Sequence, residues 1–190
     1  FSGSYGADNS GSTTYAVSTV NGTDSGLVDV ASNQSILLYN TASGVEGRVG
    51  GEGGAVSFSV TVVGSLVTLD QVLAIKHPTN DPNEPISPNA GSLSLTATIT
   101  DKDGDSANTS LDLSGSVVFR DDGPSISVAA EYDVGLEVDE TNLALNDSVD
   151  VSGAFSGSYG ADGSGSTTYA VSTVNGTDSG LVDVASNQSI

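Results

Sequence analysis

Polar and apolar residues alternate with a period of two along much of this chain. Val56, Phe58, Val60 and Val62 fall on one face, with Ser57, Ser59 and Thr61 on the other. Leu93, Leu95, Ala97 and Ile99 alternate with Ser94, Thr96 and Thr98. Leu111, Leu113, Val117 and Phe119 continue the scheme, with Gly115 as the mark of a bulge. Val149, Val151 and Phe155 repeat it, and shorter strands are predicted over residues 14–20, 35–39, 66–75, 126–128 and 136–138. Such a period sends successive side chains to opposite faces of a half-buried strand, and no stretch carries a capped helical stripe. The 24 Gly and 5 Pro lie mainly between these runs, where turns belong. The pattern predicts an all-β fold, most simply a sandwich of short antiparallel strands.

Three segments break the alternation. Residues 77–89 hold four of the five Pro and read as a stiff surface excursion, with His77 on the surface. Residues 44–54 (GVEGRVGGEGG) are rich in glycine but lack the Lys-Ser/Thr of a phosphate loop, so they read as a flexible hairpin connection. Residues 120–125 (RDDGPS) combine two acids with Gly and Pro and read as the junction between consecutive modules.

Residues 155–190 repeat residues 1–36 with one change, Asn9 to Gly163, at a period of 154 residues. That period is too long for a solenoid repeat and suits a whole domain, so the chain reads as about one and a quarter copies of a tandem array. Residues 1–123 are expected to be a module without its first segment, and 124–190 the opening part of the next. The unpaired edges this leaves would be completed by strand addition from a neighbouring copy. The strand predicted over 14–20 is expected again at 168–174. Because the chain opens at Phe1 in mid-pattern and contains no Met, it is expected to be a window on a longer polypeptide.

Composition then narrows the chemistry. Four Lys and Arg against 24 Asp and Glu leave a formal charge of −20 over 190 residues. This excludes a nucleic-acid footprint and attraction to an anionic membrane. The short apolar runs exclude a helical membrane span. Without Cys there is no disulfide and no thiolate chemistry. The lone His77 has no partner pattern for catalysis. Thr23-Asp24-Ser25-Gly26 bears a faint likeness to a serine-protease nucleophile loop but has no matching base. No enzyme is expected.

The carboxylates carry what chemistry remains. Asp101, Asp103 and Asp105 alternate within one five-residue turn between two strongly patterned strands. Ca²⁺ takes about six to eight oxygens, and an Asp-rich turn supplies several at once. The spacing is not that of an EF-hand, and Asp-Gly turns are also common in plain hairpins. A second candidate cluster joins Asp121 and Asp122 at the junction to Glu137, Asp139 and Glu140 beyond it; it reads either as an ion bridge fixing the angle between modules or as a solvated acidic linker. Asp81 and Glu84 form a weaker acidic pair. Asp8, Asp24, Asp162 and Asp178 lie in Gly/Ser-rich turns that favour Asp for turn chemistry alone.

The blocks ITDKDGDS, LDLSGSVVFRDDGPSISV and LEVDET, with YGADGSGSTTYAVS and the HP…DPNEP loop, resemble the extender repeats of giant bacterial RTX adhesins. The resemblance covers essentially the whole chain. It implies Ig-like β-sandwich modules strung head to tail, exported by type I secretion, that project a ligand-binding tip from the bacterial cell surface in adhesion and biofilm formation. It also implies Ca²⁺ roles at Asp101, Asp103 and Asp105, and at Asp121 and Asp122. The glycine-rich nonapeptide calcium repeat that names the family is absent from this sequence. The expected function is a non-enzymatic, calcium-stiffened structural spacer. The alternative is a module that binds a glycan or a host surface; near-identical copies favour the spacer, since added copies add length.

Overall fold

The computed structural model describes residues 1–6 and 11–190. Among these, the strands are β1 (Ser12–Ser18), β2 (Thr23–Val28), β3 (Ser35–Asn40), β4 (Gly44–Val49), β5 (Val56–Val63) and β6 (Leu66–Gln71). They are followed by β7 (Pro85–Ile86), β8 (Ser94–Thr100), β9 (Ser106–Asp112), β10 (Phe119–Arg120), β11 (Ser125–Val128) and β12 (Phe155–Ser158). The fold is all-β and antiparallel, as the alternation predicts. Strands β2 to β6 form one sheet in sequence order, and β1, β8 and β9 form a second in the order β1-β8-β9. Two short pairs, β10-β7 and β11-β12, complete the list. Among the described residues no helix is long and apolar enough to cross a membrane.

The core lies between the two larger sheets. Phe58 and Val60 of β5 meet Leu27, Ile36, Leu38 and Val45 from the same sheet, Val17 of β1, and Leu93, Val117 and Phe119. The Phe58 and Phe119 rings sit 4.9 Å apart, tilted at 58°. Each such buried side chain is worth about 1.5–3 kcal/mol.

The glycine-rich segment 44–54 departs from expectation. Its first half is β4, a central strand paired with both β3 and β5. A Cβ at Gly47 would lie 2.3 Å from the Phe58 ring, and one at Gly44 would lie 2.1 Å from the Val60 carbonyl oxygen. The glycines therefore serve close packing here, not flexibility.

Residues 111–119 also differ from the single strand predicted. After β9 the chain makes a 3-10 turn at Ser114–Ser116, then re-enters the core at Val117 and Phe119. The Ser114 hydroxyl accepts the Leu93 N–H at 2.9 Å, so a buried polar group holds the break in place. Strand β2, absent from the sequence reading, is irregular: its register shifts between Asp24 and Val28, and Gly26 sits at φ +76°. The excursion 77–89 contains β7, whose Ile86 packs on the core. His77 is a correction too, because its side chain is only 5% exposed.

The repeat behaves differently in its two copies. Residues 12–18 are β1, paired along their full length with β8, whereas residues 166–172 form no strand. Residues 136–138 and 149–151 likewise form none. Val17 is 5% exposed and Val171 fully exposed; Leu27 is wholly buried and Leu181 is 64% exposed. Local geometry nevertheless survives in both copies. The Asp29 carboxylate accepts from Ser32 and the Asp183 carboxylate from Ser186, while Asn33 and Asn187 share φ near +55° (55° and 56°). Turns are thus set by neighbours in sequence, and strands by a partner in space. In dilute protein, Leu27→Ala should cost about 2–5 kcal/mol in chemical denaturation, while Leu181→Ala should stay within about 0.5 kcal/mol.

Candidate metal centre

Strands β8 and β9 run antiparallel up to the pair Thr100–Ser106, whose hydroxyls are 2.8 Å apart. The five residues beyond that pair have to reverse the chain. Asp101 N–H donates to the Asp105 carbonyl at 3.0 Å, and the Asp101 carboxylate accepts the Gly104 and Asp105 N–H groups at 3.1 and 2.9 Å. Gly104 holds φ +108°, a conformation that L side chains rarely adopt. This closed turn gathers one carboxylate oxygen from each of Asp101, Asp103 and Asp105 within 4.8 Å of one another.

Asp101 is half-buried and its two neighbours are exposed. Its carboxyl is held below the usual aspartate range, first by a hydrogen bond with the Asp103 carboxyl and then by the N–H groups of Asp105, Gly104 and Asp103, with partial burial opposing them. Among the described residues Arg48 pairs with Glu46 at 2.6 Å and the His77 ring nitrogen lies 4.0 Å from Glu84, and neither contact touches the cluster. An open hollow of about 220 Å³ adjoins it, lined by Ser4, Tyr5, Gly6, Asp101 and Asp105 among others. Lys102 lies in the same turn but makes no ion pair with the trio within 4.0 Å, and three converging carboxylates can hold a hard cation, water and carbonyl oxygens filling the remaining positions. The donor set does not discriminate among such cations. Asp8 lies outside the described residues.

The second candidate cluster is spread over separate contacts. Asp121 donates its N–H to the Glu84 carbonyl at 3.2 Å. Both carboxylate oxygens of Asp122 accept the Ala161 N–H at 3.0 Å. Gly160, at φ +80°, leaves room for that approach, since a Cβ there would lie 2.9 Å from Asp122. The Glu137 N–H donates to Asp147 at 2.8 Å, and Asp139 accepts the Thr141 N–H at 2.7 Å, capping the 3-10 turn Glu140–Asn142. Asp101, Asp103 and Asp105 are the one trio of carboxylates gathered within the stated spacing among the described residues.

Two features had no signal in the sequence pattern. The Asp122 contact with Ala161 ties the junction to the YGAD loop of the second copy, across 39 positions of chain. The other is inside the proline-rich excursion, where the Glu84 carboxylate accepts the Thr79 hydroxyl at 2.6 Å and the Thr79 N–H at 2.8 Å. Asp24 lies in β2 and accepts the Gly26 N–H at 2.9 Å. Ser25, the candidate nucleophile, is wholly buried, with its hydroxyl donated to the Ile36 carbonyl.

The fold and site together define an antiparallel β-sandwich with an acidic turn at one hairpin end. The chain belongs to the family described as a domain of unknown function, DUF5801, which it matches over residues 1–114 and 135–190. No curated protein and no solved structure matches it.

The Glu84 carboxyl is held below its ordinary value of 4.5 by the Thr79 hydroxyl, then by the Thr79 N–H, with a smaller contribution from His77. A depressed carboxylate contributes stability that is present above the unfolded value and lost as pH falls through the lower folded one. Wild type should therefore melt above Glu84→Gln near neutral pH, and the gap should close in acid. A gap constant across a pH series of melts would contradict this.

Proposed function

We propose that the chain is a non-enzymatic, calcium-stiffened spacer from a tandem array, an extender module of a large bacterial surface adhesin. In this reading it acts outside the cell, and neighbouring copies of the same module are its immediate partners. The observation that carries the proposal is the convergence of Asp101, Asp103 and Asp105 at the end of the β8–β9 hairpin. The repeat of residues 1–36 at 155–190 supports it, because copies in series add reach. The mechanism is mechanical. A cation shared by three carboxylates removes their mutual repulsion and cross-links the turn, so the hairpin end resists bending. At the junction, Asp122 supplies a direct backbone clasp in addition to any ion. Adhesion, biofilm formation and type I secretion follow from the resemblance of the repeat blocks to RTX extenders.

A second reading, a glycan- or host-surface-binding module, is favoured by one feature. Phe1, Tyr5 and Tyr15 line an open hollow of about 350 Å³ together with Thr13, Asn108 and Thr109. Aromatic faces beside amide and hydroxyl groups suit a sugar ring. Retained binding to one sugar on a glycan array would move the assignment to this reading.

The spacer reading makes folding calcium-linked. Extracellular modules bind Ca²⁺ with Kd of about 0.1–1 mM, and a tenfold excess over Kd adds about 1.4 kcal/mol to the native state. For a chain of this size EGTA should lower the Tm by about 3–6 °C. An unchanged melt would defeat the calcium assignment. In millimolar calcium, Asp103→Ala should also lose more stability than Asp24→Ala, whose carboxylate serves a single turn; equal losses would make residues 101–105 an ordinary hairpin turn.

A further inference from the structure

The segment that leaves the sandwich after Phe119 is held along its length by the proline-rich excursion. Strand β10 pairs with β7 as Phe119 with Ile86 and Arg120 with Pro85. The same antiparallel register runs on past this short ladder. Asp121 donates its N–H to the Glu84 carbonyl at 3.2 Å, and Gly123 lies against Pro82. A Cβ at Gly123 would come 2.4 Å from the Pro82 Cβ, so the two segments touch there with no room for a side chain. The Arg120 guanidinium adds a hydrogen bond to the Asn83 carbonyl at 3.3 Å. Asp122, within the same stretch, accepts the Ala161 N–H of the second copy.

The excursion itself is stiff and anchored at both ends. Pro78, Pro82, Pro85 and Pro88 each fix their own φ. The Glu84 carboxylate accepts twice from Thr79, the Glu84 N–H donates to the Asp81 carbonyl at 3.2 Å, and the Asp81 carboxylate accepts the Asn83 N–H at 3.1 Å. His77 is buried at one end, Ile86 packs on the core, and at the other end the Asn89 N–H donates to the Ser25 carbonyl of β2 at 2.7 Å. We propose that residues 77–89 are a brace that fixes the direction in which residues 120–125 leave the sandwich, and that it does so without a metal ion. Gly123 then serves close contact with Pro82, where a free linker would use it as a pivot. The brace takes its role as a stiffener of an array from the spacer reading, but it does not depend on calcium.

The test uses the full chain, whose lack of Cys allows two nitroxide labels to be placed cleanly, through Thr68→Cys on β6 and Val128→Cys on β11. Double electron–electron resonance then gives the spread of distances between the sandwich and the β11–β12 pair, in EGTA and in millimolar calcium. Wild type should give one narrow distribution in both. Gly123→Ala separates a brace from a bare linker because the two give opposite signs. Alanine has fewer backbone states than glycine, and fewer still before Pro124, so a linker governed by its own chain would narrow. A brace has to give way to the new methyl group, so the distribution should widen at least about twofold, toward that of a flexible linker. Arg120→Ala, which removes only the Asn83 contact, should widen it less, and it decides the question if Gly123→Ala fails to fold. A wild type that is narrow in calcium alone would overturn the brace and leave the calcium-stiffened spacer standing. A wild type that is broad in both buffers would overturn the brace, as would a narrow one that Gly123→Ala, or Arg120→Ala in its place, leaves unchanged or sharpens.

Discussion

A β-strand cannot satisfy its own backbone. Every amide and carbonyl that leaves water needs a partner on a neighbouring strand, and every apolar face needs a facing sheet. This chain shows the constraint with its own internal control. The sequence STTYAVS is a strand where β8 lies beside it and a core lies beneath it, and is not one where both are absent. The sandwich of β1 to β10 exists because six strands from one stretch of chain and two from another close on Phe58 and its neighbours.

The acidic character follows from the same architecture. With the interior filled largely by aliphatic and phenylalanine side chains, most carboxylates lie at turns and hairpin ends, although Asp24, Glu46 and Asp70 sit within strands. There they cap turns, as Asp29, Asp112 and Asp139 do, or gather, as Asp101, Asp103 and Asp105 do. Hairpin register places that trio: the last pair, Thr100–Ser106, fixes where the five-residue turn begins and ends. In the spacer reading proposed above, divalent cations at such turns would stiffen each module and a string of them would form a stalk.

Much of this was legible in the sequence, and the failures have physical causes. Strands β5 and β8 showed because their apolar residues alternate with Ser and Thr, with Phe58 and Val60 of β5 and Ala97 of β8 turned into the core. Strand β4 did not, because its glycines answer to the close approach of Phe58 and Val60, which no periodicity records. Strand β2 was hidden by its register shift and the positive φ of Gly26. Residues 111–119 read as one strand because Val117 and Phe119 keep the phase of Leu111 and Leu113 across a 3-10 turn. Residues 136–138 and 149–151 have strand patterns but no partner edge. The Asp101–Asp103–Asp105 trio was visible from spacing alone, since local chain geometry suffices to gather it. The second acidic cluster, Asp121 and Asp122 with Glu137, Asp139 and Glu140, depends on how distant segments meet, which spacing does not record; there Asp122 accepts the Ala161 N–H and Asp121 donates to the Glu84 carbonyl.

The most direct test of partner-dependent folding is residue-resolved amide hydrogen exchange on monomer isolated by size exclusion. The amides of Thr14 and Ala16, which face Thr98 and Thr96 of β8, should be strongly protected, while those of Thr168 and Ala170 should exchange at nearly the rate of an unstructured peptide. Equal protection of the two copies in the monomer would contradict the account, because it would mean that the sequence makes the strand without the partner.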